Sequence, residues 1–296
     1  MEETRNENGQ ENSNEKVHER KQGIVVEHVY KSFGKEHVLV DVNLEIPPGK
    51  IYGVVGNNGS GKTVLMKCIC GFMHPDKGQI YVGGSRVGKE CDFPDKLGVI
   101  IETPGFLPNL TGMRNLELLA SLRKKIDKKA VAEAIRAVGL DPEMKKPVSK
   151  YSLGMRQRLG IAQALMEDPS LLILDEPTAV LTPQETEKLF AVLRNMKKDG
   201  KSIIIITHKL HEVLAISDRV AILRKGEYIG AVETAKTNQA ELTEMMVGRP
   251  VSLEIDRPKQ ERSIERLQVI DLTCLNGEGV KALDNVSFSA YGGEIL

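Results

Sequence analysis

The residues best suited to chemistry form a glycine-rich segment near the start of the chain. It matches the pattern GxxxxGK[ST] in full and consists of Gly56, Asn57, Asn58, Gly59, Ser60, Gly61, Lys62 and Thr63. Glycines let backbone N–H groups turn toward a polyphosphate without clashes of Cβ atoms. We therefore expect this P-loop to bind a nucleotide, with Lys62 at the β- and γ-phosphates and Thr63 on Mg²⁺. The alternative is a chance match to the pattern.

Two acidic residues follow a short apolar stretch farther along the chain. Leu171–Leu174 is typical of a buried strand, and Asp175 and Glu176 come directly after it. A carboxylate at such a strand end points toward a metal, directly or through water, and we assign this role to Asp175. Glu176 is then placed to orient and deprotonate an attacking water, a task that contributes about 10²–10⁴ in rate. The alternative is an ordinary solvated strand end.

A histidine repeats this arrangement at the end of another apolar stretch. Ile203–Thr207 predicts a strand, and His208 follows it. Open α/β sheets bind ligands at the carboxyl ends of their strands. His208 is therefore expected to contact the γ-phosphate or hold the water, and the alternative is a solvent-facing histidine.

Composition limits the functions open to the chain. Its 296 residues are 41% hydrophobic and 28% charged, and the formal net charge of zero gives no electrostatic reason to expect direct nucleic-acid binding. No apolar run approaches the roughly 18–20 residues that span a bilayer, so a membrane role would require a partner subunit. The cysteines lack metal-ligand spacing and predict reduced, buried thiols. They are Cys68, Cys70, Cys91 and Cys274.

Apolar stretches alternate with helical patterns around these residues, which predicts an α/β domain with a largely parallel sheet. The predicted strands are Ile24–Val29, Val42–Ile46, Ile51–Val55, Leu171–Leu174, Ser202–Thr207, Val220–Leu223 and Tyr228–Val232. The predicted helices are Gly61–Gly71, Thr111–Lys124, Lys128–Val138, Leu153–Glu167 and Gln184–Lys198.

Three regions surround or follow this domain. The almost wholly polar residues 1–22 predict a disordered tail without a signal peptide, and the charged residues 251–265 predict a linker. Residues 266–296 contain an internal repeat at an offset of 244 residues. Leu39, Val42, Gly49 and Ile51 recur there as Leu283, Val286, Gly293 and Ile295. We expect this repeat to be the truncated start of a second domain, and chance similarity of short β segments is the alternative.

Residues 23–250 resemble the nucleotide-binding domain of the ABC transporter superfamily, in which these motifs occur in the same order. Residues 151–158 resemble its signature segment, although Leu153 stands where glycine is usual and Met155 where glutamine is usual. The resemblance implies that Ser152 and Gly154 cap the γ-phosphate of a nucleotide held by a second domain. The missing glycine affects how closely the backbone approaches that phosphate.

Two further residues take their expected roles from the same resemblance. Phe33 falls where the family stacks an aromatic ring on adenine, and a core phenylalanine is the alternative. Glu102 falls where the family usually has a glutamine that contacts Mg²⁺ and senses the membrane partner. A glutamate keeps the oxygen ligand but adds a negative charge.

Different parts of the chain resemble different branches of the superfamily. Residues 102–106 resemble drug- or peptide-exporting ATPases, whereas residues after Thr178 resemble the first half of tandem ATPases that import sugars or nucleosides. Thr182 replaces a usual aspartate, as the importing branch often shows. The chain is therefore interpreted as a composite whose parts meet near Thr178, by natural fusion, an assembly join or design.

The resemblance implies an α/β P-loop NTPase fold with a RecA-like core, an antiparallel β subdomain and a helical signature subdomain at about 104–163. The implied function is the ATP-hydrolysing subunit of an ABC membrane transporter, with ATP and Mg²⁺ as ligands. The implied partners are a second ABC domain and a transmembrane permease at the cytoplasmic face of the membrane, without direct nucleic-acid binding. Two alternatives remain open: a non-transport ABC ATPase on ribosomes or DNA, and an inactive nucleotide-binding module.

Overall fold

The computed structural model describes residues 23–101, 105–250, 264–276 and 279–292. The chain divides into two units, Met1–Val251 and Ser252–Leu296. The expected tail at residues 1–22 and most of the expected linker at 251–265 lie outside the described residues, but Glu265 already begins a strand.

A six-stranded sheet forms the centre of the first unit. Its strands are β3 (Ile51–Val55), β6 (Leu97–Ile100), β7 (Leu171–Asp175), β8 (Ser202–Ile206), β9 (Arg219–Arg224) and β10 (Glu227–Glu233). They lie in the order β10-β9-β3-β8-β7-β6. Only β10 pairs antiparallel with its neighbour; the other pairs are parallel. Strands of a parallel sheet are covered on both faces, which explains the unbroken aliphatic runs in β7 and β8.

A second, antiparallel sheet packs beside the first helix of the unit. Its strands are β1 (Ile24–Phe33), β2 (Glu36–Ile46), β4 (Lys77–Val82) and β5 (Ser85–Arg86), in the order β2-β1-β4-β5. Val26, Leu44 and Ile80 are buried in one cluster with Leu65 and Ile69. β1 and β2 run farther than the sequence predicted, because their outer halves pair across the hairpin, where polar residues such as Lys31, Ser32, Glu36 and His37 interrupt the apolar pattern.

Seven helices lie within the described part of the first unit. They are α1 (Lys62–Ile69), α2 (Gly112–Arg123), α3 (Lys128–Ala137), α4 (Leu153–Leu165), α5 (Pro183–Lys198), α6 (Leu210–Ile216) and α7 (Gln239–Val247). α1 is shorter than predicted, because Gly61 and Gly71 at its two ends have left-handed backbones with φ of 93° and 83°. α6 and α7 were not predicted.

Helices α2, α3 and α4 form the helical subdomain. Leu116 of α2, Val131 of α3 and Leu159 of α4 are fully buried in a single cluster, which also contains Ile100 and Leu172 of the central sheet. This shared core fixes α4 against the sheet. The first residues of α4 are thereby held beside the ends of the central strands.

The four cysteines are free thiols, as predicted, but only two of them are buried. Burial raises the pKa of the Cys68 thiol to about 11 and that of Cys70 to about 12. Cys91 is half-buried and Cys274 is exposed, so the prediction of burial was wrong for these two. Cys91 lies in a polar stretch, whereas Cys274 lies on a strand whose side chains are almost all exposed.

The second unit contains a two-stranded antiparallel hairpin, β11 (Glu265–Leu275) and β12 (Lys281–Tyr291). Asp271 and Asn285 have left-handed backbones with φ of 49° and 53°, as His28 and Asp41 do in β1 and β2 with φ of 49° and 50°. Asp271 N–H donates to Ser287 Oγ at 2.8 Å, and His28 N–H donates to Asn43 Oδ1 at 2.9 Å. The two hairpins therefore share their irregularities as well as their sequence pattern. Gly293 and Ile295 of the repeat lie outside the described residues.

Candidate functional site

The P-loop, Gly56–Thr63, connects the carboxyl end of β3 to the start of α1. Gly59 and Gly61 have φ of 77° and 93°, where a side chain would strain the backbone. A Cβ atom at Gly61 would also lie 2.7 Å from the carbonyl oxygen of Val38. The glycines therefore allow the loop to curl tightly against β2, as the motif predicts.

Lys62 lies inside this loop and is only 8% exposed. Its Nζ donates to the carbonyl oxygens of Gly56 at 2.8 Å and Asn57 at 3.0 Å. Burial lowers the pKa of Lys62 from its usual 10.5, and the nearby negative charges of Glu176 and Asp175 oppose this shift. Because an ammonium group has three donors, the two carbonyl contacts leave one N–H for an anion in the loop.

Thr63 and Asp175 meet at the base of the loop although they are 112 positions apart. Thr63 Oγ1 donates to Asp175 Oδ2 at 2.8 Å. Ser60 Oγ is buried and has no hydrogen-bond partner among the residues that the structure describes. Hydroxyl and carboxylate oxygens are the ligands that Mg²⁺ prefers, usually together with phosphate oxygens. This donor set fits a magnesium ion held jointly with a bound phosphate.

Glu176 has a left-handed backbone with φ of 46°, a conformation that costs about 1–3 kcal/mol. Its N–H donates to the carbonyl oxygen of Ile206 at 2.8 Å. Its Oε1 accepts from His208 N–H at 3.1 Å and lies 2.8 Å from His208 Nδ1. Its Oε2 is buried and finds no hydrogen-bond partner within the described part of the chain. The carboxylate is thus oriented through one oxygen, and the acceptor capacity of the other oxygen is unused.

These groups line a cavity of about 640 Å³, within the usual range for small-molecule sites. The P-loop residues from Asn58 onward form one wall, and Asp175 and Glu176 form the floor. The start of α4 forms another wall. The lining residues that no motif predicted are Glu36, Val38, Val64, Ala179 and Val180. Glu36 and Val38 belong to β2, and only their proximity in sequence to Phe33 pointed to them.

The signature segment, Tyr151–Arg158, meets the cavity through Leu153, Arg156 and Gln157. Leu153 is 51% exposed. Ser152 and Gly154 do not line the cavity: Ser152 Oγ accepts from Met155 N–H at 3.2 Å as the cap of α4, and a Cβ atom at Gly154 would lie 3.2 Å from the carbonyl oxygen of Val180. Within one chain, these two residues are therefore not brought to the P-loop.

Phe33 and Glu102 took their expected roles from the resemblance alone, and the structure describes only Phe33. Phe33 is 48% exposed, with Lys31 Nζ 5.8 Å from its ring centroid, so it is not a core residue. Its ring does not line the cavity, but it lies three residues before Glu36, which does. Glu102, expected to be a metal ligand, lies outside the described residues.

Among the described residues, no group of three or more His, Cys, Asp or Glu side chains could hold a metal ion. None of the helices there is long and apolar enough to cross a membrane.

Comparison with known proteins points to one family. The family model described as "ABC transporter" matches residues 39–179. The bacitracin transport ATP-binding protein BcrA of Enterococcus faecalis is 39% identical over 218 residues, which cover 73% of this chain and 71% of that protein.

A second kind of relative aligns over more of the chain. The ribose import ATP-binding protein RbsA 2 of Burkholderia cenocepacia (strain HI2424) is 35% identical over 280 residues, which cover 91% of this chain and 54% of that protein. The chain thus spans about half the length of this relative. The expected resemblance to two groups of transport ATPases is confirmed, while a join near Thr178 stays a prediction.

The fold has close counterparts among solved structures. A structure described as an ATP-binding subunit of an ABC transporter superposes with a TM-score of 0.69 at 25% identity. The match covers 76% of this chain and 100% of that structure. The predicted α/β P-loop NTPase fold is confirmed.

Proposed function

The chain belongs to the ABC transporter family of ATP-binding proteins, and from this premise we propose that it binds MgATP and hydrolyses it to drive transport through a separate permease. One observation carries the proposal. Lys62, Thr63, Asp175 and Glu176 come from two motifs far apart in sequence and meet in one cavity at the carboxyl ends of parallel strands.

The P-loop supplies nucleotide binding. Backbone N–H groups of Gly56–Thr63 and the Lys62 ammonium receive the phosphates, since a buried cation and unstrained glycines suit a dense negative charge. Thr63 and Asp175 hold Mg²⁺, with Glu102 as a further candidate ligand. A bound Mg²⁺ would offset the negative charge of the phosphates. Phe33 stacks on the adenine.

Glu176 acts on the attacking water. Its Oε2, which has no hydrogen-bond partner among the described residues, accepts a hydrogen bond from the water and takes its proton, while Oε1 stays fixed by His208. His208 holds the carboxylate and contacts the γ-phosphate. Most of the acceleration comes from positioning and from charge stabilisation by Lys62.

The active form pairs two cassettes. We infer that Ser152 and Gly154 of one cassette complete the site of another, because within one chain they lie outside the cavity that holds Lys62. The helical subdomain contacts a transmembrane permease, which holds the protein peripherally at the cytoplasmic face of the membrane. ATP binding favours the closed pair of cassettes, and hydrolysis allows the pair to reopen. This cycle supplies the work of transport.

The second unit is proposed to be the opening hairpin of another cassette. Support comes from its repeated residues, from its two left-handed positions that match those of β1 and β2, and from relatives about twice the length of this chain. An equivalent phosphate loop would begin at about position 300, by the offset of 244 residues.

A steady-state ATPase assay of the full chain, with and without Mg²⁺, tests the proposal. Magnesium-dependent phosphate release that Glu176→Gln abolishes, with nucleotide binding retained, is the expected result. Binding without any turnover would favour an inactive binding module, which the exposed Leu153 in the signature segment makes the second candidate. Co-purification with ribosomes rather than with a membrane subunit would favour a non-transport role.

A further inference from the structure

A buried carboxylate lies near the site without touching the cavity. Glu212, on α6, is 7% exposed, and Thr178, two residues after Glu176, is 1% exposed. A buried carboxylate is costly unless it is paired and hydrogen-bonded. No motif in the sequence assigned either residue a role.

Three residues form a closed network around this carboxylate. The Thr178 hydroxyl donates to Glu212 Oε2. Lys209 Nζ donates to Glu212 Oε1 at 3.0 Å and to the carbonyl oxygen of Thr178 at 2.9 Å. We call this network the Thr178–Lys209–Glu212 clamp. It ties the loop after β7 to the start of α6.

The clamp lies beside a second set of contacts between the same two segments. Glu176 N–H donates to Ile206, and Glu176 Oε1 accepts from His208. The clamp therefore begins two residues after Glu176 on one segment and one residue after His208 on the other. The two sets of contacts lie at and just after Glu176, whose backbone is left-handed with φ of 46°. A residue persists in such a conformation only when its surroundings hold it there.

We propose that Glu212 is a positioning residue for the Glu176 carboxylate and acts through Thr178 and Lys209. The proposal rests on the ATPase function proposed above. Glu212 fixes the loop that carries Glu176 against the segment that carries His208, so that Glu176 keeps its contact with His208 and its place in the cavity lining. Loss of the clamp lets the Glu176 backbone relax, and the carboxylate then leaves the position from which it reaches water.

The first test is Glu212→Gln in the full chain, which keeps the side-chain volume but removes the charge that balances Lys209. We expect kcat for ATP hydrolysis to fall about 10- to 100-fold, the cost of a small misplacement of a reacting group. The Kd for a fluorescent ATP analogue should stay within about twofold, because the P-loop does not contact the clamp.

A matched control is Asp218→Asn at the other end of the sheet. Like Glu212, Asp218 is paired with a lysine, Lys197, although it is only half-buried, and it accepts from Ile51 N–H at the start of β3. This control should lower the melting temperature but leave kcat per folded molecule unchanged. A purely structural Glu212 would behave in the same way.

A second pair of variants keeps the test decisive if Glu212→Gln folds poorly. Thr178→Val removes the hydroxyl at nearly constant volume, and Thr178→Ser retains it. We expect Thr178→Val to lower kcat without changing Kd, and Thr178→Ser to keep most of the activity. Equal loss in both variants would overturn the role of the hydroxyl and with it the clamp.

The outcomes separate the two proposals. Hydrolysis that depends on Glu176 but proceeds at the wild-type rate in Glu212→Gln would overturn the positioning role alone. A wild-type chain without Glu176-dependent hydrolysis would overturn the proposed function, and the positioning role would fall with it.

Discussion

The P-loop and the signature segment face the same cavity but are built in opposite ways. The P-loop presents backbone: Gly59 and Gly61 have left-handed φ angles, and the buried Lys62 is anchored on carbonyl oxygens. The signature segment presents side chains from an ordinary helix that Ser152 caps. A side chain at Gly61 would strain the first wall, whereas Leu153 fits the second without distortion. A motif made of backbone geometry therefore has less freedom to vary than one made of a helix start.

The largest expected effect comes from removing the cation of the P-loop. Lys62→Ala should weaken ATP binding about 100-fold or more, since hydrogen bonds to charged groups contribute about 1.5–3 kcal/mol each. Equilibrium binding of a fluorescent nucleotide measures this. Lys89→Ala, an exposed lysine away from the cavity, is the control and should bind normally. Unchanged affinity in Lys62→Ala would remove the P-loop from the account.

Glu176→Gln should separate binding from turnover. The amide keeps the side-chain shape but cannot take a proton, so kcat should fall about 10²–10⁴-fold. The Kd for ATP should change little. Steady-state phosphate release checks the rate, with Glu187→Gln on the exposed face of α5 as the matched control. Full activity in Glu176→Gln would exclude Glu176 as the base.

Leu153→Gly tests whether the signature segment limits activity. Removing a half-exposed side chain from the cavity wall lets a second cassette approach the phosphate through backbone, so kcat should rise by about three- to tenfold. Leu122→Gly, at an exposed leucine of α2, controls for the loss of helix stability. If both variants leave kcat unchanged, the leucine is not an obstacle.

The smallest expected effect concerns how the signature helix is held. Arg158 lies 3.0 Å from Glu185 of α5, and both side chains are largely covered. The pKa of Glu185 lies below its usual 4.5, chiefly because its carboxylate accepts from Thr182 N–H. Glu185→Gln should therefore cost about 1 kcal/mol or less at neutral pH, or about 2–4 °C in melting temperature.

The pH dependence of this effect follows from the sign of the shift. A lowered pKa in the folded state stabilises the protein above the unfolded value and loses that contribution as pH falls through the folded value. The difference in melting temperature between wild type and Glu185→Gln should thus disappear in acid. A difference that grows in acid would show that Glu185 acts in some other way. ATP hydrolysis should be little changed.

The sequence predicted the P-loop side of the site better than the rest. The P-loop depends on the local backbone geometry of consecutive residues. A short sequence pattern is therefore enough to predict Gly59, Gly61, Lys62 and Thr63. The ends of β7 and β8 were also predicted, because buried parallel strands have unbroken aliphatic runs. The meeting of Thr63 with Asp175 followed from the rule that parallel strands present their carboxyl ends at one edge.

Other features depend on tertiary contacts that no pattern records. The Thr178–Lys209–Glu212 clamp joins polar residues 34 positions apart, and α6, which carries Glu212, is a single short helix without clear periodicity. Glu36 and Val38 reach the cavity only because the β1–β2 hairpin curls over the P-loop. The signature residues Ser152 and Gly154 do not line the cavity of their own chain, so their roles stay predictions.

The central claim is that a backbone cradle and one buried ammonium hold magnesium-bound ATP. Equilibrium dialysis of ATP against the folded full chain, with Mg²⁺ and then with a chelator, tests it most directly. We expect saturable uptake at one P-loop per chain that weakens when Mg²⁺ is removed. No saturable uptake by folded protein in the presence of Mg²⁺ would contradict it.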